Sequence, residues 1–323
     1  MKTSHSALLS LIPPDMSDAI KKFNREAEDI VNAFLATLEA CQPPPIIYHY
    51  TNDVGLRGIL ETGQLWFSDI FTLNDPSELK HGLSFALNIL DDKAASGPPE
   101  SKLFARNLSS FVEQGGAQKS GHYFMCSFSS CGDDLGQWRA YADNGRGYAL
   151  GFHANALEGA FAKHTAPVKK AFPVIYNDVQ LIEIHRKIVG AMFDLISLPR
   201  GRRLDKSAIN AYMAELTTWL MAHAMHAAVH FKHEAYNNEK EYRFLEAHGA
   251  DQPPDVKLRV RCYSLIKYRE FDWKSTAAGA LKRIVAGPAT DHERASQFAR
   301  DCLRMFPAGP VEIVRSEIPY RAV

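Results

Sequence analysis

Three consecutive prolines, Pro43-Pro44-Pro45, divide this chain just before its first strand-like run. No α-helix passes through them, because each lacks a backbone N–H and disfavours helical geometry in the residue before it. Upstream, Pro13-Pro14-Asp15 marks a helix start, and Ile20, Phe23, Ala27, Ile30, Val31, Phe34 and Leu38 recur at helical spacing to near Cys41. Residues 1–45 therefore read as an N-terminal helical segment, and residues 46–323 as the main domain.

Past the prolines, Ile46–Tyr50 is β-branched and aromatic, as strands are. Thr51-Asn52-Asp53 then caps a helix from Val54 to Glu61, which Gly63 stops. Leu65-Trp66-Phe67 reads as a second strand, and Asn74-Asp75-Pro76-Ser77 as the turn opening a helix to about Leu90. A helix over 102–113, strands at 122–129 and 148–153 and a short helix over 135–143 follow. Two long helices, 176–197 and 206–233, form a large insertion of about 176–233. Strands at 240–246, 256–266, 282–286 and 311–315 and a helix at 291–304 complete the chain. Strands come in clusters with helices inserted between them, which indicates an α+β fold rather than a doubly wound parallel sheet. No Gly-x-Gly-x-x-Gly follows a strand and no Gly-Lys-Ser/Thr loop occurs, so Rossmann and P-loop nucleotide sites both lack their motif.

Charge narrows the function classes. Lys plus Arg and Asp plus Glu each number 37 among 323 residues, so bulk charge does not hold the protein on nucleic acid. No apolar run reaches the length of a membrane span, so no membrane partner is expected. The run Ala7–Ile12 is too short for a secretory core and meets Pro13-Pro14 at once. The five cysteines, Cys41, Cys126, Cys131, Cys262 and Cys302, are scattered without a Cys-x-x-Cys pair, which fits a reduced, cytoplasmic setting.

Two segments carry chemistry. Tyr48-His49-Tyr50-Thr51 closes the first strand, and Glu239-Lys240-Glu241-Tyr242-Arg243-Phe244 lies far downstream and is strand-like. Strand alternation sends Glu239, Glu241 and Arg243 to one face and Tyr242 and Phe244 to the other. If the first face lines a cleft, it holds two carboxylates and a guanidinium.

A strand ending in His-x-Thr, a short helix, a glycine and an aromatic strand together resemble the opening of the ADP-ribosyltransferase superfamily, of the diphtheria toxin and poly-ADP-ribose polymerase type. The catalytic glutamate of that superfamily sits on a late strand directly before a tyrosine, as Glu241-Tyr242 do here. The chain also resembles an uncharacterised bacterial family over most of residues 46–290, through Tyr48–Thr51, Phe71 with Asn74-Asp75-Pro76, Trp138 with Tyr141, and Glu239–Arg243. The first resemblance implies an ADP-ribosyltransferase-like split mixed β-sheet core and NAD as substrate. The expected outcome is transfer of ADP-ribose to a nucleic-acid or protein acceptor, or hydrolysis of NAD, in the setting of a bacterial toxin or antiphage effector. It assigns Glu241 to the oxocarbenium-like ribose in the transition state, as in glycoside hydrolysis. His49 would hold the adenosine-side ribose, Tyr50 would offer its backbone to the nicotinamide amide, and Thr51 would support the turn. Trp66, Phe67 or Tyr141 would stack on the nicotinamide ring. Glu239 would orient or deprotonate the acceptor, and Arg139, Lys232 and Arg243 would meet the pyrophosphate. The superfamily's usual second tyrosine has no counterpart here.

Each residue also has a plainer structural role open to it. His49 can be a hydrogen-bonded strand-end histidine. Glu241 can be half of an ion pair with Arg243 or Lys240, Trp66, Phe67, Trp138 and Tyr141 can be packing, and Asn74–Ser77 can be only a cap. The same cleft can belong to a non-catalytic nucleotide or nucleic-acid binding module. His223, His226, His230 and His233 recur on one helical face, the basis of a third reading as a metal-dependent hydrolase. No His-Glu-x-x-His order accompanies them and the interleaved Ala, Met and Val indicate a partly buried helix, so no metal is expected. Arg200-Gly201-Arg202-Arg203 is a basic loop open to solvent or to an acidic partner.

Overall fold

The computed structural model describes residues 9–39, 42–72, 76–261 and 263–320. The turn Asn74-Asp75, Cys41 and Cys262 lie outside them. The strands are β1 (Ile46–Thr51), β2 (Gln64–Asp69), β3 (Gly121–Ser129), β4 (Tyr148–His153), β5 (Val168–Pro173), β6 (Glu241–Gly249), β7 (Lys257–Arg261), β8 (Ser264–Asp272), β9 (Leu281–Ala286) and β10 (Glu312–Arg315). The helices are α1 (Pro14–Glu39), α2 (Asp53–Thr62), α3 (Pro76–Ala95), α4 (Pro99–Glu113), α5 (Leu135–Tyr141), α6 (Ala154–Phe161), α7 (Asp178–Phe193), α8 (Lys206–Ala228), α9 (Trp273–Thr276) and α10 (His292–Met305).

The fold is α+β with a mixed, open sheet. Its strands run in the order β10-β9-β4-β1-β3-β2-β8-β7, with β6 and then β5 joined to β3. Only β10 and β9 pair in parallel among the described strands. β6 occupies one edge of β3 over its whole length, from Gly121↔Gly249 to Ser129↔Glu241. The other edge is divided: β1 meets it at Tyr48↔Ser129, and β2 meets it at Ser68↔Met125 and Asp69↔Phe124. The sheet thus splits along β3, with residues 126–128 facing the gap between β1 and β2.

Local signals account for much of this. Asn52 accepts from the Gly55 N–H and starts α2, and Gly63 ends it at φ 67°, a left-handed conformation that side chains resist. Two apolar layers cover the sheet. On one face, Tyr123 and Met125 of β3, Phe172 of β5 and Leu245 of β6 pack under α1, α3, α7 and α8. On the other, Phe124, Cys126 and Phe128 of β3 and Tyr242 and Phe244 of β6 pack under α2, α6 and α10. The N-terminal segment is part of the first layer: Phe23, Ala27 and Val31 of α1 are buried with residues of α7 and α8. The basic loop also meets this layer, since Arg202 pairs with Asp15 of α1.

The structure departs from the sequence expectations at several places. Residues 256–266 are not one strand but the hairpin β7–β8, whose turn holds Tyr263 at φ 65°. β5, α6 and α9 arise where no element was expected. β5 lacks clean alternation because it borders only β6 and stays half-covered. The second long helix ends at Ala228 rather than 233, so His230 and His233 leave the helix and the four-histidine face does not form. β6 begins at Glu241, and Glu239 closes a 3-10 turn over Glu234–Glu239 instead of lying on the strand.

Candidate functional site

The start of β6 is assembled by three chain segments. After β5 the chain runs past the exit of α8: Ile175 N–H donates to His230 O and Lys232 N–H to Ile175 O, each at 2.9 Å. Val174 N–H donates to Glu241 O, and Glu241 N–H donates to the Tyr176 hydroxyl, again at 2.9 Å. Lys240, at φ 44°, then turns the chain so that Glu239 and Glu241 reach the same ammonium. These contacts bring Lys232, Glu239, Glu241 and Arg243 into one charged cluster.

Within it, Arg243 grips Glu241 with two donors, Nε to Oε1 at 2.8 Å and Nη2 to Oε2 at 3.0 Å. Its Nη1 donates to Val229 O at 2.8 Å, placing a cation at the carbonyl end of α8. Lys232 Nζ bridges the two carboxylates, 2.7 Å from Glu239 Oε2 and 3.2 Å from Glu241 Oε2. Glu241 is 8% exposed and Arg243 2%. Burial pushes the Glu241 carboxyl upward, but Arg243 and Lys232 outweigh it and hold the group ionised below the ordinary carboxylate range. Glu239 is more exposed than Glu241, and the Tyr141 hydroxyl donates to its Oε1 at 3.5 Å. Lys232 Nζ also lies 4.9 Å from the ring centre of exposed Tyr236.

Ser127 links this cluster to His49. It sits on the central strand β3, yet its side chain is exposed, because the sheet is split there. Its hydroxyl reaches the Glu241 carboxylate, and its carbonyl accepts from His49 Nδ1 at 3.1 Å. Burial and the nearby Arg259 cation lower the His49 pKa against the opposing pull of the Ser127 carbonyl, so the ring is neutral at pH 7. β1 and β6 are therefore not adjacent strands; they lie on the two edges of β3, and His49 and Glu241 approach the same serine from either side. The His49 ring also leans on Phe128, with centroids 5.6 Å apart.

On the far side of the split stands a group that sequence reasoning did not single out. Arg259 of β7 donates to the Ser68 hydroxyl at 2.9 Å and lies 5.5 Å from the centre of the Trp66 ring. Trp66 is 42% exposed and rests on Tyr268, with ring centres 4.4 Å apart. Burial lowers the Arg259 pKa, and its Nε is enclosed without a hydrogen-bond partner among the described residues. A guanidinium held between an indole and a serine in this way suits an anion. The sequence offered no signal for it, because Arg259 falls in a stretch that also contains Lys257 and Arg261 and reads as a solvated strand.

The remaining candidates separate from the site. Phe67 is 2% exposed and packs against Phe161 and Phe271, so its ring is core rather than a stacking platform. The Tyr50 hydroxyl donates to Cys131 O at 2.9 Å and its ring meets buried Trp138 edge-on, so Tyr50 braces the loop before α5. Thr51 ends β1 opposite Tyr148 and packs its hydroxyl over Gly55, where an added Cβ would lie 1.9 Å from Oγ1. Arg139 is exposed on α5.

The histidine face dissolves into packing: His223 bonds Asn24 at 2.6 Å, and His230 lies 4.1 Å from Phe172. Burial lowers both, to about 4 and about 3.

Comparison with known proteins adds one likeness. Residues 137–244, from α5 to the Glu241–Arg243 pair, match a family described as protein of unknown function (DUF2971). No curated protein and no solved structure matches the chain.

Proposed function

We propose that the split along β3 binds NAD and that the protein cleaves its nicotinamide–ribose bond, passing ADP-ribose to an acceptor or to water. One observation carries this reading: exposed Ser127 joins the His49 imidazole and the ionised Glu241 carboxylate, with Arg259 over Trp66 near His49 and Tyr141 bonded to Glu239. A dinucleotide needs such a combination of anion donor, aromatic surfaces and a carboxylate near the reacting ribose.

In this reading nicotinamide leaves with the electron pair of the C–N bond, and the ribose carbon becomes oxocarbenium-like. Glu241, kept ionised by its cationic partners, stabilises that positive charge. Glu239 accepts the proton that the incoming hydroxyl or water loses as its oxygen bonds to the carbon. Arg259 replaces Arg139 as the pyrophosphate contact, and Trp66 is the exposed ring available for stacking. Purified protein incubated with NAD should release nicotinamide, and Glu241→Gln and Glu239→Gln should each suppress it. Equal release from wild type and both variants would remove the cluster from the chemistry.

The binding-module reading draws on a different observation: Glu241 already accepts from Arg243 and Lys232. A cleft in which those pairs stay closed holds a nucleotide without turning it over. Thermal stabilisation by ADP-ribose with no nicotinamide released, even over long incubation, would select it.

A further inference from the structure

His233 leaves the helical face on which its sequence neighbours pack and meets two residues from other parts of the helical layer. His81 comes from α3, Asp178 from the first turn of α7, and His233 from the segment after α8. Each offers one ligand atom, and these three atoms all lie within 4.8 Å of one another. His81 Nε2 is 3.2 Å from Asp178 Oδ2. The His81 and His233 rings stand edge to face with centroids 5.2 Å apart, and Phe85 holds the His81 ring edge-on at 4.8 Å.

From this we infer a divalent transition-metal site formed by His81, Asp178 and His233. Two imidazoles and one carboxylate are the donor set that favours zinc, iron or cobalt over magnesium and calcium. At metal–ligand lengths of about 2.0–2.2 Å, neighbouring ligands of a tetrahedral ion sit about 3.4 Å apart. His81 and Asp178 are already close to that separation, and His233, exposed and with its ligand atom within 4.8 Å of both, closes the remainder on coordination. The ion takes the place of the hydrogen between His81 Nε2 and Asp178 Oδ2, leaving the ring proton on Nδ1. His233 Nδ1 accepts the Ala235 N–H at 3.1 Å, and coordination releases that cap. Three protein ligands leave the remaining coordination position to water.

The placement gives the ion a task. His233 follows Lys232 directly and caps the turn that ends in Glu239. Metal would clamp this segment to α3 and α7, fixing the lysine that bridges the two carboxylates. The inference does not depend on NAD being the ligand of the cleft.

Zinc titrated into untagged, chelator-treated protein should bind at one ion per chain and raise the melting temperature. His81→Ala, Asp178→Asn and His233→Ala should each weaken binding at least tenfold while melting like wild type in chelator. His226→Ala, which removes a histidine of the packed face, should leave zinc binding intact. Cobalt should give the visible absorption of a low-symmetry site in wild type and lose it in Asp178→Asn. Wild-type protein that holds no zinc at micromolar concentration, or triad variants that bind it as tightly as wild type, would overturn the proposal. So would equal loss in His226→Ala.

Discussion

Glu241 and Glu246 lie five residues apart on β6 and so point to opposite faces of one sheet. Both are buried and both are ion-paired. Glu246 is 0% exposed and is gripped by His248 at 3.4 Å, Arg269 and, at 2.9 Å, His164, whose ring lies against Phe161 and Phe271. Burial raises its pKa, and the His164 hydrogen bond and the Arg269 charge more than reverse that. Glu241 is paired as thoroughly, yet it reaches an exposed serine and shares its lysine with a second carboxylate near Tyr141. Pairing and a perturbed pKa are thus common to both, and the contact with exposed Ser127 distinguishes Glu241. An ion cluster set among packed phenylalanines holds structure together, whereas one that touches an exposed serine is placed to meet a ligand.

The largest expected effect tests Glu246. Glu246→Ala strips Arg269 and His164 of their shared carboxylate and should cost about 3–5 kcal/mol of stability, read by denaturant unfolding, with nicotinamide release per folded molecule unchanged. A variant that stays as stable as wild type would mean that Glu246 is no structural anchor. Next, Glu241→Gln should lower the rate of nicotinamide release by about 100- to 1,000-fold, as loss of a group aimed at transition-state charge does. An expression host that tolerates this variant but not wild type would tie NAD consumption to toxicity.

Acid separates the helical layer from both clusters. Burial lowers His185, His223 and His230 to about 4, about 4 and about 3, so the native protein keeps them neutral. The unfolded chain takes up their protons first, near the ordinary value of 6.5. Their contribution is therefore complete above pH 6.5 and is lost as pH falls toward those depressed values, by roughly 1.4 kcal/mol per unit for each. The Glu241 and Glu246 carboxyls are both held below their ordinary value, so their contribution is lost only as pH falls from the ordinary carboxylate value downward, and the weakening of melting between pH 6.5 and 5 belongs to these buried histidines. His230→Phe should flatten that slope, and an unchanged slope would clear His230 of the effect. Arg259→Gln should weaken NAD or ADP-ribose binding by about tenfold, roughly 1.4 kcal/mol, with little change in melting. Tyr141→Phe should have the smallest effect, about 0.5–1.5 kcal/mol at most, because its bond to Glu239 is long and exposed.

The sequence alone determined the features that arise within a few residues of one another. The triproline break, the capped start of α2, its glycine stop and the apolar stripe of α1 were all legible, because caps, turns and periodicity are local physics. It also brought Glu239, Glu241 and Arg243 to notice together, since they share one short segment. β5 and the β7–β8 hairpin were not legible, one for want of alternation and the other because its turn carries Tyr263 rather than a glycine in the left-handed conformation. Only the tertiary structure decided that Phe67 is core while Trp66 is open. The same holds for the pairing of Arg259 with Trp66, for the gathering of His81, Asp178 and His233, and for the place of Ser127 between His49 and Glu241. Each of these depends on which edge of β3 a distant strand takes or where a helix ends. That is fixed by the burial of whole faces, a property no short stretch of sequence contains.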